Sequence, residues 1–163
     1  MDSAKSLRNL ISIIVTIIVL GVSIGVGLTI ITSPASAYPT EQEVQDLVEE
    51  YYSSHTYVEN VYDCSEMSQD FWNMCYTKGW TTEMGVREVK TLKDGSVVYH
   101  CWVVVEVDDD TWLAADPTCG FTVKSDEVII LSGVRKSGAF YYTAQWFQDP
   151  RELRNWMLTN QIF

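Results

Sequence analysis

The sequence predicts an α+β domain in which helices pack on an antiparallel sheet, and two hydrophobic periods carry that prediction. Over 41–53 and 64–78, apolar residues recur at three- and four-residue steps, the pattern of one helix face. From about residue 84 the period becomes two, the pattern of strands whose side chains alternate between faces. Later in the chain we expect two more strands, at 121–130 and 138–147, and a closing helix from Pro150 onward.

Residues typical of helix starts support these helices. Thr40 and Glu43 have the spacing of a capping box before the first helix, and Asp149-Pro150 is a typical start for the closing helix. Asp63 or Asn60 can cap the second helix. Its inner stripe continues to Cys75, which we expect to pack in the core.

The strands are predicted to form a meander. Asp94-Gly95 is a hairpin signal that joins a strand at 84–92 to one at 97–107. Three consecutive aspartates, 108–110, form the polar loop to the next strand, 111–116. A solvated hairpin tip explains these aspartates better than a calcium site does.

Composition and charge limit the classes of function. After the first 37 residues, about 125 remain, enough for one domain with a single core. The chain has 22 acidic and 11 basic residues, a net charge of −11, and one Asp, one Lys and one Arg lie in the first 37 residues. The rest therefore carries −12, a charge that repels phosphate backbones, so we predict no nucleic-acid partner.

The N-terminal region has the pattern of a membrane anchor. Residues 10–31 carry no charge, and a helix of that length, at ~1.5 Å per residue, crosses a ~30 Å hydrocarbon core. Lys5 and Arg8 precede it, so the positive-inside rule places residues 1–9 in the cytoplasm and exports the chain after residue 31. We therefore predict a single-pass protein of the cell membrane whose linker, 32–39, leads to an extracytoplasmic domain, 40–163.

A cleaved signal peptide is the alternative interpretation of this region. Ala35-Ser36-Ala37 is a passable cleavage site before Tyr38, and cleavage there would give a secreted protein. We prefer the uncleaved anchor because secretory apolar regions usually run only ~7–15 residues. The domain works outside the cytoplasm in both cases.

Cys64 and His100 are the candidates for nucleophile and base. Cys64 begins the second predicted helix, where unpaired backbone N–H groups and the helix dipole stabilise a thiolate. A nearby imidazole must take the thiol proton and return it to the leaving group. His55 lies at the end of the first helix with nothing obvious to orient it, whereas His100 lies within a strand. His100 is therefore the better base.

Asp116 is the candidate for the carboxylate that orients His100. If residues 108–110 form a three-residue loop, Trp102 faces Asp116 on the neighbouring strand. His100 is then the diagonal neighbour of Asp116 on the same face of the sheet. A two-residue loop would send Asp116 to the opposite face. The proposed triad of Cys64, His100 and Asp116 thus depends on this register.

Three blocks of sequence resemble the transglutaminase-like superfamily, which has a papain-like fold. They are Tyr62-Asp63-Cys64-Ser65-Glu66-Met67, His100-Cys101-Trp102-Val103-Val104-Val105-Glu106-Val107, and Trp112-Leu113-Ala114-Ala115-Asp116-Pro117-Thr118, in the order of that family. The resemblance covers about 60–120 and implies the same nucleophile, base and carboxylate. It also implies a papain-like core whose nucleophile helix packs on an antiparallel sheet. Tyr57 is a candidate side-chain donor to an oxyanion hole.

The remaining cysteines indicate no metal site. Cys101 and Cys119 both have the parity that faces away from His100, and a disulfide between them is one alternative in an exported domain. No Cys-x-x-Cys or His-x₃₋₅-His spacing supports zinc. We predict neither a metal nor another cofactor.

The predicted function is that of a cysteine hydrolase acting on amide or peptide bonds through a thioester. Its partner is a protein or peptide substrate, with cell-envelope material as one source. One alternative is a protein-glutamine acyltransferase that cross-links proteins, since an amine can replace water as acceptor. The other alternative, from a different class, is a catalytically silent, membrane-tethered binding module of the same fold.

Overall fold

A computed structural model describes residues 38–131, 134–160 and 162. The described chain is α+β, as predicted. Its helices are α1 (Glu41–Ser54), α2 (Cys64–Thr77) and α3 (Pro150–Asn160), and a 3-10 helix spans Gly138–Tyr142. Its strands are β1 (Thr82–Thr91), β2 (Val97–Asp108), β3 (Thr111–Asp116), β4 (Phe121–Val123), β5 (Val128–Leu131), β6 (Val134–Ser137) and β7 (Gln145–Phe147).

The N-terminal predictions fall almost entirely outside the described residues. This applies to residues 1–9, predicted to be cytoplasmic, to the predicted spanning segment 10–31 and to the predicted linker as far as residue 37. Within the part of the chain that is described, no helix combines the length and the apolar character needed to cross a bilayer.

A five-stranded antiparallel sheet in the order β4-β3-β2-β1-β7 forms the centre of the domain. One face of β2, with Cys101, Val103 and Val105, packs against the three α-helices. The other face, with Trp102 and Val104, packs against the aromatic 3-10 helix. Strand β2 is therefore covered on both sides, and its residues reach two different layers.

Both long helices begin at the predicted caps. Thr40 and Glu43 form the capping box of α1, and Asp63 with Glu66 forms that of α2. Cys75 is completely buried among the core residues of α2, as expected. The predicted start of α3 at Pro150 is also confirmed.

The loop between β2 and β3 differs from its prediction. Asp108 pairs with Thr111, so the turn has two residues and not three. A β-bulge at Val107 corrects the register, because Glu106 pairs with Trp112 on one side of it and Asp108 with Thr111 on the other. The bulge adds the residue that the loop lacks, so Asp116 still lies on the face expected for it.

The two later strand predictions are wrong in extent. Residues 121–130 contain two strands, β4 and β5, because Lys124 and Glu127 form a turn in which the Glu127 N–H donates to the Lys124 carbonyl. Among the strands that the structure describes, β5 pairs only with β6, in a separate two-stranded sheet that the sequence patterns did not predict. Half of 138–147 is the 3-10 helix, whose start is capped by the side chain of Ser137, and a strand forms only at β7.

Candidate active site

Cys64 is the first residue of α2, and local sequence determines that position. The Asp63 carboxylate accepts a hydrogen bond from the Ser65 N–H at 2.9 Å, and the Glu66 carboxylate accepts one from the Asp63 N–H at 3.3 Å. These bonds fix the helix start immediately before the cysteine. The Cys64 side chain is partly buried, and its thiol lies 4.0 Å from the Tyr99 carbonyl oxygen on β2.

His100 lies next to that contact on β2 and is held by the neighbouring strand. Its Nε2 is 2.7 Å from Oδ2 of Asp116, and its side chain is 20% exposed. The indole of Trp102 lies on the same strand face, with the two ring centroids 5.8 Å apart. Because Asp116 engages Nε2, Nδ1 is the ring nitrogen left for the sulfur.

Asp116 ends β3 and is almost completely buried, with 1% of its surface exposed. Besides His100, the Tyr141 hydroxyl donates to Oδ2 at 3.0 Å. The other oxygen, Oδ1, accepts from the Thr118 N–H at 3.1 Å and from the Thr118 hydroxyl at 2.7 Å. Four donors therefore compensate the buried carboxylate, and they hold it in one orientation toward the imidazole.

The pKa directions of the two partners agree. Burial alone would lower the pKa of His100, but the charge of Asp116 and its hydrogen bond, with a contribution from the adjacent Cys64 thiol, raise it. Burial alone would raise the pKa of Asp116, but the His100 charge and the hydrogen bonds from His100, Thr118 and Tyr141 lower it. The pair is thus stabilised as imidazolium and carboxylate.

A cleft of about 200 Å³ opens beside the sulfur and the imidazole. Cys64 and His100 both line it, together with Tyr57 and the exposed side chain of Val98. Asp116 lies behind the imidazole, on the side of Nε2. The structure therefore brings the three predicted triad residues into one arrangement, in which the ring connects the sulfur to the carboxylate.

Tyr57 and His55 have different positions relative to this cleft. Tyr57 is half exposed on the cleft wall, and burial followed by the nearby Cys64 raises the pKa of its phenol. His55 is not a cleft residue; its ring stacks on that of Tyr51 with centroids 4.0 Å apart, and its Nδ1 contacts the Tyr51 carbonyl oxygen at 2.8 Å. The preference for His100 over His55 as the base agrees with these positions.

Two residues at the site were missed as functional candidates. They are Tyr141 and Thr118, whose side chains both donate hydrogen bonds to Asp116. Tyr141 is itself held in place because the Trp102 indole N–H donates to its carbonyl oxygen at 3.0 Å. Thr118 could have been found from sequence, because an Asp followed two residues later by Thr is typical of a local side-chain turn. Tyr141 left no such signal, since it lies 25 residues beyond Asp116.

All four cysteines are free thiols. Cys75 and Cys101 are buried, whereas Cys119 is exposed in the turn after β3, so the alternative of a Cys101–Cys119 disulfide is not present in this structure. Across residues 38–131, 134–160 and 162, no group of three or more His, Cys, Asp or Glu side chains is arranged to hold a metal ion.

Comparisons with known proteins found no relative of this chain. No family model matches it, and neither the search of curated proteins nor the search of solved structures found a match. The arrangement of Cys64, His100 and Asp116 is therefore interpreted from its own geometry.

Proposed function

We propose that the protein is a cysteine hydrolase that cleaves amide or peptide bonds through a thioester on Cys64. The observation that carries the proposal is the 2.7 Å contact between His100 Nε2 and Asp116 Oδ2, with Cys64 beside the same imidazole in the cleft. This order of thiol, imidazole and buried carboxylate is what acyl transfer needs.

In the first step, the Cys64 thiolate, whose proton the His100 imidazolium holds, attacks the substrate carbonyl carbon. The raised pKa of His100 favours a cation beside the sulfur, and a neighbouring cation stabilises a thiolate. The C–N bond then breaks, the imidazolium gives its proton to the departing amine, and a thioester remains. Water attacks the thioester with His100 as the base, which releases the acid and restores the thiol.

The tetrahedral intermediates need donors for their oxyanion. The Asp63 side chain accepts from the N–H groups of Ser65 and Glu66, so the Cys64 N–H is the first-turn donor that the cap leaves for a ligand. We propose this N–H and the Tyr57 hydroxyl, across the cleft, as the two donors.

The resemblance to the transglutaminase-like superfamily supports this chemistry, and we propose a papain-like arrangement for the core. An N-terminal anchor over 10–31 would hold the domain outside the cell membrane, where protein or peptide substrates include those of the cell envelope. Water is the simplest acceptor, so we propose hydrolysis over cross-linking.

Competitive alkylation of the native protein tests the proposal. At pH ~6.5 an ordinary thiol with a pKa of ~8.5 is ionised to only about 1%, so a cysteine that is fully ionised has up to ~100-fold more reactive thiolate. A thiolate of low pKa is also a weaker nucleophile, which reduces the expected rate advantage to about tenfold. We expect iodoacetamide to label Cys64 at least about tenfold faster than Cys119, the exposed reference thiol, as measured by peptide mass spectrometry.

Two variants make this experiment specific. His100→Ala should bring the Cys64 rate down to that of Cys119, whereas His55→Ala, which removes an imidazole outside the cleft, should leave it unchanged. Equal labelling of Cys64 and Cys119 in the unaltered protein would refute the activated thiol and favour a catalytically silent binding module.

A further inference from the structure

A second concave surface lies near the other end of α2 from Cys64. It is a groove of about 620 Å³, a volume within the range of small-molecule sites. The proposed acyl-transfer chemistry uses none of its residues. We call it the aromatic groove and define it by Trp72, Tyr76, Trp80, Thr82, Glu83 and Gln148.

The apolar part of the aromatic groove consists of three aromatic rings. The rings of Trp72 and Tyr76 are stacked, with centroids 5.0 Å apart and planes 9° apart, and Tyr76 is 64% exposed. Trp80 adds a third ring, over which the Lys78 ammonium lies at 5.5 Å from the centroid. Trp72 and Trp80 are partly buried against the core, whereas Tyr76 is not among the residues packed there, so core packing does not explain the exposed ring of Tyr76.

Polar groups stand beside these rings. Glu83 Oε1 accepts a hydrogen bond from the Gln148 amide at 3.4 Å, and both side chains line the groove. Thr82 also lines it and is 7% exposed, yet its hydroxyl has no hydrogen-bond partner among the described residues. A buried hydroxyl without a partner is unfavourable, and a hydroxyl-rich ligand brings partners.

We infer that the aromatic groove binds a carbohydrate, through one or more hexopyranose units. A pyranose has an apolar C–H face that matches an exposed aromatic ring, and a rim of hydroxyl groups that matches a carboxylate and an amide. The groove offers both at once, with Tyr76 as the platform and Glu83 and Gln148 as the polar partners.

Contact with a lipid surface explains the groove less well. Aromatic residues also gather at membrane interfaces. The part of the chain after residue 37 carries −12, however, which repels anionic headgroups, and Glu83 would lose water at such an interface. A concave surface with its own hydrogen-bonding groups fits a glycan better.

The position of the groove gives it a role independent of the thiol. Trp72 is eight residues after Cys64 on the same helix, which is about 12 Å along its axis. A glycan held there keeps the domain close to carbohydrate-bearing material while the cleft remains free. Binding is therefore expected to persist in Cys64→Ala, whatever that variant does to catalysis.

Titration of the full-length protein tests this inference. The probes are chitohexaose and cellohexaose, oligomers of N-acetylglucosamine and glucose, followed by tryptophan fluorescence and calorimetry. We expect at least one to bind with a Kd of about 0.1–1 mM and Tyr76→Ala to weaken it about tenfold or more. Tyr76→Phe keeps the ring and should retain binding, as should Tyr52→Ala, which removes a half-exposed tyrosine of α1.

Three results would overturn the inference. The first is that neither oligosaccharide binds at about 10 mM. The second is binding that Tyr76→Ala leaves unchanged. The third is that neither sugar binds but the protein binds vesicles of phosphatidylcholine and phosphatidylglycerol, and Tyr76→Ala abolishes this vesicle binding. That result would show that the groove contacts a membrane. Rapid alkylation of Cys64 in the same preparation separates each of these results from the proposed hydrolase chemistry.

Discussion

Replacing Cys64 by alanine should make the stability of the domain depend on pH between about 6.5 and 8. Burial lowers the pKa of His100, but Asp116 outweighs it, and with the thiol present the pKa is raised to about 10. Without the sulfur, Asp116 still holds the proton on the ring, whereas the unfolded chain releases it above ~6.5. The stabilisation is therefore complete below pH ~6.5 and is lost as pH rises toward the folded-state pKa.

The size of this loss follows from proton linkage. Each pH unit costs ~1.4 kcal/mol once the unfolded imidazole is neutral, so the free energy of unfolding should fall by about 1.5 kcal/mol over this range. The His100 side chain is only 20% exposed, so solvent screens its interaction with Asp116 weakly. Above pH ~8 the raised pKa of the buried Cys75 thiol adds its own loss of stability, which sets the upper limit.

The unaltered protein should behave differently in the same range. In the proposed ion pair, the proton on His100 is the one that Cys64 has released, so folded and unfolded chains bind equal numbers of protons. Urea unfolding at pH values from about 6.5 to 8 should then give a nearly constant free energy. Cys119→Ala is the matched control, because this cysteine is exposed in the turn after β3.

Either of two results would refute this reasoning. If the unaltered protein also loses about 1.5 kcal/mol, the sulfur keeps its proton and the ion pair is wrong. If Cys64→Ala shows no loss, Asp116 does not hold a proton on His100 in the folded state.

Two further substitutions test the support of the site and the packing beside it. Tyr141→Phe removes one donor to Asp116, so it should lower the free energy of unfolding by about 1.5–3 kcal/mol and also slow alkylation of Cys64. The control is Tyr142→Phe, which removes a hydroxyl that bonds backbone groups; it should lower stability without slowing alkylation. Equal slowing of alkylation in both variants would contradict a positioning role for Tyr141. Gly138→Ala drives its Cβ into the Lys124 carbonyl oxygen and should cost about 1–3 kcal/mol in urea unfolding; an unchanged midpoint would contradict the close backbone approach.

The parts of the fold that were predictable have local causes. The capping boxes at Thr40 and Asp63 and the turn at Asp94-Gly95 depend on residues within a few positions of one another. The alternation along β2 placed His100 and Trp102 on one face, and the two aromatic rings do lie together. Short-range rules were sufficient for these features because the interactions themselves are short-range.

The missed parts depend on distant contacts. Residues 138–142 look extended by their aromatic content, but Trp102 and Asp116 bond to Tyr141 in this segment, where the chain forms a 3-10 helix. The aromatic groove likewise brings the end of α2 together with Glu83, which lies in β1, and Gln148, which follows β7. No sequence pattern within one segment predicts contacts between segments so far apart in the chain.

Because of the bulge at Val107, a loss of one residue near the tip of the hairpin need not disturb the end that carries His100 and Asp116. Glu106 already lies opposite Trp112, and Asp108 opposite Thr111, so Val107 is the one residue of 103–108 without a counterpart on β3. A chain that lost Val107 would close into a regular ladder in which every residue from Glu106 back to Val103 kept its partner on β3. Loss of any single residue between His100 and Glu106 would instead reverse the faces of one strand relative to the other and carry the imidazole away from Asp116.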